Sequence, residues 1–115
     1  MEDVIGTSKE YVFEKLINFL RNEKEQLKFT AKASMEIDLD PSWTRKALIM
    51  GVIIHASING QLYCEKSKVR GRDDDIIYII KPIINDKPRW VRFRLGQDES
   101  GEDTTAVIIS AHEDR

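Results

Sequence analysis

From Val12 to Leu20 the apolar residues return every three or four positions. Val12, Phe13, Leu16, Phe19 and Leu20 fall on one side of a helix, and charged residues fill most of the other. The predicted helix covers about residues 8–25. Thr7 and Glu10 have the spacing of a capping box, in which hydroxyl and carboxylate each reach a first-turn amide. A short second helix carries Ala33, Met35 and Ile37, with Thr30 as its cap. Asp40-Pro41 predicts a third start, because Asp is a favoured N-cap and Pro has its φ preset for the first helical position. Trp43, Ala47, Leu48 and Met50 follow, and Gly51 stands where a helix stops, so the expected span is Pro41–Met50.

Beyond Gly51 the pattern turns to β. Val52-Ile53-Ile54 reads as a short strand, and Asn59-Gly60 is a dipeptide preferred in two-residue hairpins. Gln61 to Glu65 is then the returning strand. Ile76 to Ile80 is nearly all apolar, as in a strand covered on both faces. Asn85-Asp86-Lys87-Pro88 is a turn. Arg89 to Leu95 alternates strictly, with Val91, Phe93 and Leu95 on one face and Trp90, Arg92 and Arg94 on the other. Thr104 to Ala111 is the last strand. The expected fold is α+β, a single domain over residues 1–115, with two or three N-terminal helices packed on an antiparallel β-meander.

Composition adds limits. A chain of 115 residues buries roughly two-thirds of its unfolded surface, enough for a core without staples. The longest apolar run, Ala47 to Ile54, is far short of the ~20 residues that span a bilayer, so no membrane partner is expected. Glu2 and Asp3 at the start do not read as a secretory signal. A single Cys, Cys64, rules out an internal disulfide and fits a cytoplasmic protein. One Cys and two His argue against a zinc site, and no cofactor is implied. Net charge is −2, but its sign is segregated. Residues 61–94 hold 9 bases against 5 acids, and residues 95–115 hold 1 base against 6 acids. A basic middle segment attracts phosphates locally even on a slightly acidic chain.

That charge points to the face of Trp90, Arg92 and Arg94 as a nucleic-acid contact. Two guanidiniums on alternate strand positions suit adjacent phosphates, and the indole offers a surface on which an unstacked base lies. His112, directly after the last strand, is a candidate acid or base near neutral pH. His55 reads as a satisfied histidine at a strand end, with a second proton carrier as the functional alternative. Cys64 reads as a packing residue. Lys66 to Arg72 is a basic loop. Asp73-Asp74-Asp75, Asp98-Glu99 and Glu102-Asp103 lack calcium-loop spacing and read as solvated acidic turns.

Phe29-Thr30-Ala31-Lys32-Ala33, the Asp40-Pro41 helix ending at Gly51, and the strands Asp75–Ile80, Trp90–Leu95 and Thr105–His112 come in a suggestive order. It resembles the BrnT and MqsR type of small toxin domain within the RelE-like ribonucleases of bacterial toxin–antitoxin modules. The resemblance covers roughly residues 27–112. It implies helices followed by an antiparallel sheet, a metal-independent endoribonuclease acting on single-stranded RNA, and a cognate antitoxin as partner. On that reading His112 and Arg94 are catalytic, and Trp90, Arg92 and Arg94 bind the nucleic acid. The competing expectation is a non-catalytic interaction or regulatory module, either a small subunit or a homodimer.

Overall fold

The computed structural model describes residues 2–40, 43–66 and 76–113. Its elements in chain order are β1 (Glu2–Asp3), α1 (Thr7–Arg21), α2 (Glu23–Gln26), β2 (Leu27–Phe29), α3 (Ala31–Leu39), α4 (Arg45–Ser57), β3 (Tyr63–Lys66), β4 (Ile76–Ile80), β5 (Ile83–Ile84), β6 (Lys87–Gln97) and β7 (Asp103–Glu113). The expected α+β class holds. β3, β4, β6 and β7 are successive antiparallel neighbours in the sheet order β1-β3-β4-β6-β7-β2. One edge departs from a pure meander: β2 lies parallel to β7, pairing Leu27 with Ala106 and Phe29 with Ile108.

The α1 stripe buries as its spacing requires, with Val12, Phe13, Leu16, Phe19 and Leu20 all in the core. The helix start differs from the capping-box expectation. Gly6 is the N-cap at φ 71°, a left-handed value that glycine adopts without strain, and its carbonyl accepts from the amides of Lys9 and Glu10. Thr7 is therefore the first helical residue and not the cap. Non-helical backbone at Asn22 divides the expected 8–25 helix into α1 and α2. Thr30 caps α3 as expected, accepting from the Ala33 amide at 3.1 Å.

The third helix is displaced. Asp40 ends α3 instead of opening the next helix, and the cap of α4 is Thr44, which accepts from the Ala47 amide at 3.2 Å. Pro41 lies outside the described residues. α4 then runs through Gly51 and absorbs Val52-Ile53-Ile54, which is helix and not strand. Packing overrides β-propensity here, since Val52 is fully buried against the core and Gly51 fits closely under Ile84. Asn59-Gly60 is the helix terminator and not a hairpin turn. Asn59 takes φ 55°, its amide reaches the Ala56 carbonyl, and the Gly60 amide reaches the His55 carbonyl. Those two bonds make a Schellman motif, which needs the same positive φ as the hairpin turn. The two-residue hairpin lies instead at Asn85-Asp86, with φ 53° and 64°, between Ile84 and Lys87.

β6 alternates as its sequence does. Val91 and Phe93 are fully buried, in one core with Leu16, Leu48 and Val52 of the helices and Ala106, Ile108 and Ala111 of β7. The β6–β7 register shifts between Arg92 and Phe93, leaving Ile109 as the extra residue of a bulge. Its carbonyl accepts from the Thr30 hydroxyl at 2.8 Å, so the residue that caps α3 also ties that helix to the sheet. Glu36 of α3 accepts from the Ser110 hydroxyl and the Ala111 amide. Among the described residues, no helix is long and apolar enough to cross a membrane.

Candidate nucleic-acid interface

Residues opposite one another on paired strands share a face. Trp90 lies opposite His112, Arg92 opposite Ser110, and Arg94 opposite Val107. His112 therefore sits on the face of Trp90, Arg92 and Arg94, the side of the sheet opposite the buried Val91 and Phe93. The rings of Trp90 and His112 are nearly parallel, 8° apart with centroids 6.3 Å apart. His112 Nδ1 is 2.9 Å from the Glu113 carbonyl. A carbonyl only accepts, so in that bond Nδ1 donates, and in the neutral ring Nε2 is then the acceptor. Lys81, which sequence reasoning missed, has its Nζ 5.1 Å from the Trp90 ring centroid and 5.8 Å from that of Tyr63. Its signal was only a lysine directly after an apolar strand.

The two arginines part company. Arg92 donates to Glu65 Oε1 at 2.7 Å, and much of its charge is compensated there. Its register partner Ile79, fully buried, lies outside the helix-side core, on the face the Arg92 stem covers. Arg94 has neither an ion pair nor a hydrogen bond among the described residues. It stands four residues from Trp90, roughly 13 Å along the strand at ~3.3 Å per residue. The sheet thus brings His112 and Trp90 together and sets Arg94 farther along the strand.

Arg94 opens instead on a cleft. The β4–β6 pairing ends at Tyr78 opposite Phe93, although both strands continue. Where they diverge, a cavity of about 180 Å³ is lined by Arg94, Tyr78, Tyr11, Gln97 and Asp103 with Ile76 and Leu95. The Tyr11 hydroxyl donates to Asp103 Oδ2 at 2.6 Å, and the Gln97 amide donates to Oδ1. The bond to Asp103, then burial, then the charges of Asp103 and Glu102 push the Tyr11 phenol above its ordinary value. Burial does the same to Tyr78. Sequence reasoning missed this cluster, because Tyr11 lies off the α1 stripe, Tyr78 reads as strand core, and Asp103 reads as loop.

The remaining candidates are structural. His55 belongs to α4 and not to a strand end. Its Nε2 lies 2.8 Å from the Gln61 carbonyl and its ring meets Phe13 edge-on. Cys64 packs against the core, and burial raises its thiol pKa. Asp98 accepts from the Ser100 hydroxyl, the Ser100 amide and the Glu102 amide, a self-closed turn that holds its carboxyl below the ordinary value. Residues 67–75, with most of the basic loop and the Asp triplet, lie outside the described residues. Among the described residues, no group of three or more His, Cys, Asp or Glu is placed to hold a metal ion. No protein-family model, curated protein or solved structure matches the chain.

Proposed function

We propose that this protein binds single-stranded RNA across the outer face of its sheet and cleaves it without a metal, in the manner of a toxin-type endoribonuclease of the cytoplasm. The observation that carries the reading is the stacked Trp90–His112 pair with the Lys81 ammonium beside it. His112 Nε2 takes the proton of a ribose 2′-hydroxyl as that oxygen bonds to the adjacent phosphorus. The bond from phosphorus to the 5′ oxygen breaks, and solvent protonates the leaving oxygen. The products are a 2′,3′-cyclic phosphate and a 5′-hydroxyl, and His112 returns its proton to water. Lys81 takes the place expected for Arg94 as the cation next to the reacting phosphate. Arg94 contacts the strand farther along β6. Cleavage of an RNA oligomer in excess chelator tests the reading. His112→Ala is expected to abolish cleavage while the protein stays folded and bound. Unchanged cleavage by that variant refutes the assignment.

A second reading is favoured by α4. Met50, Ile54 and Ile58 recur at four-residue steps and are 55%, 56% and 73% exposed, while Leu48, Val52 and Ala56 are buried. A helix apolar on both sides is ordinarily covered on both. It supports an interaction module that meets an antitoxin-like protein or a second copy through α4. Light scattering of the purified chain, with Ile54→Asp as the control, separates a self-associating protein from one that awaits another partner. The two readings are compatible, because α4 and the outer sheet face are different surfaces.

A further inference from the structure

The cleft at the diverging end of β4 and β6 holds polar groups in an unusual combination. Arg94, whose guanidinium has no partner among the described residues, lines about 180 Å³ of space. The half-buried Tyr78 hydroxyl has no hydrogen bond among them either. On the same wall Asp103 presents both carboxylate oxygens, each already accepting one bond, from Tyr11 and from Gln97. A carboxylate has about four acceptor positions, so each oxygen retains one. A bare phosphate suits this site poorly, since Asp103 repels what Arg94 attracts. A neutral, planar molecule that offers donors to one residue and acceptors to the other satisfies both.

We infer that this cleft is a specificity pocket for a guanine base of the bound strand, an inference that rests on the reading of the sheet as an RNA surface. Guanine carries adjacent donors, N1–H and N2–H, followed on the same rim by adjacent acceptors, O6 and N7. The donor pair matches the two oxygens of Asp103. The acceptor pair matches the forked donors of Arg94, the commonest specific contact to guanine. Adenine, cytosine and uracil each offer a carboxylate only one donor group beside their acceptors. Tyr11 and Tyr78 supply aromatic surface for the base, and Ile76 and Leu95 supply an apolar floor. The cavity is smaller than the ~300–1,000 Å³ of drug-sized pockets, in keeping with one base and not a larger ligand. Arg94 lies on the same strand as Trp90, while Tyr11 of α1 and Tyr78 line the cleft from the helix side, so a base of an RNA that follows β6 enters through the gap where β4 and β6 diverge.

The test titrates the full chain with 5′-GMP, 5′-AMP and 5′-UMP by calorimetry, and separately with a uridine-only RNA oligomer. The expected result is GMP binding about 10-fold tighter than AMP or UMP, as a bidentate base contact provides. Asp103→Asn is expected to bring GMP and AMP to within about twofold, and Arg94→Met to weaken GMP about 10-fold. Equal binding of GMP and AMP, no GMP binding up to millimolar concentration, or a full preference retained in Asp103→Asn overturns the inference. Should Asp103→Asn unfold, Arg94→Met decides alone, because that side chain makes no bond among the described residues. The uridine oligomer reports on the outer face by itself. Oligomer binding without a guanine preference removes only the pocket. A guanine preference without oligomer binding removes the strand path along β6 and leaves the pocket as a mononucleotide site.

Discussion

Arg89 Nη1 donates to Asp40 Oδ2 at 2.6 Å across 49 residues of sequence. Arg89 stands at the start of the alternating run of β6, its guanidinium stacked on Trp43 at 4.6 Å and its side chain wholly buried. The pair explains why Asp40 does not open the third helix. Its carboxylate is directed to a buried cation, and the capping of α4 passes to Thr44. Leaving a buried guanidinium without its anion costs more than passing the cap from Asp to Thr.

Asp40→Ala is therefore expected to cost about 3 kcal/mol, the lower end for breaking a buried ion pair, because water still reaches Asp40. Loss of an N-cap alone costs roughly 0.5–2 kcal/mol, which is the range expected for Thr44→Ala. Urea unfolding of the two variants distinguishes these roles. A smaller loss for Asp40→Ala than for Thr44→Ala contradicts the ion-pair assignment.

Gly51 in the middle of α4 sets two effects against each other. Alanine there gains about 1 kcal/mol in helix propensity. Its Cβ would meet Ile84 Cγ1 at 2.5 Å, and Ile84 is buried and not free to swing away. Overpacking costs about 1–3 kcal/mol, so Gly51→Ala is expected to destabilise on balance. Ile84→Ala in the same chain removes the clash, and the double variant should be more stable than the two single losses added together. Additive losses would show that the close approach has no energetic consequence.

The period-two pattern of β6 was legible because a strand with one face in the core must alternate, and Val91 and Phe93 obey it. Thr30 was legible as a cap because its role is local. Asn59-Gly60 misled for a physical reason: positive φ serves a hairpin and a helix terminator alike, and whether the preceding run is helical depends on the core that Val52 and Ala56 pack into. The candidate site divides in the same way. That His112 shares a face with Trp90 depends on a register that includes the Ile109 bulge, and one residue of slip would have reversed it. The Glu65 partner of Arg92 and the cleft beside Arg94 are long-range facts with no local signal.

Tyr11 carries a pH dependence with a definite sign. Its phenol is raised from 10.0, first by the bond to Asp103. A group whose folded value lies above its unfolded value stabilises fully below the unfolded value, and that contribution fades as pH climbs through the folded one. The tie between α1 and β7 should therefore hold at neutral pH and loosen only in strong alkali. Absorbance titration of tyrosinate should show a late component that Tyr11→Phe removes and Asp103→Asn moves to lower pH. A profile unchanged by Asp103→Asn would discount the bond.

RNA binding by the outer face has a signature that separates charge from stacking. Each phosphate contact to a single strand contributes about −0.7 to the slope of log affinity against log salt. Lys81→Ala should shallow the slope by about that amount, and Arg94→Met much less, because Asp103 shares the Arg94 cleft and repels a phosphate there. Arg92→Ala should change it much less, because Glu65 already neutralises that guanidinium. Trp90→Ala removes an aromatic ring without removing a charge, so it should weaken binding by roughly 1–3 kcal/mol and leave the slope alone. Measuring affinity for a uridine oligomer at several salt concentrations gives all four values in one experiment. An effect of Arg92→Ala on the slope as large as that of Lys81→Ala would mean that the Glu65 pair opens on binding. A steep slope untouched by Lys81→Ala would place the RNA on another surface, and the catalytic role of His112 would go with it.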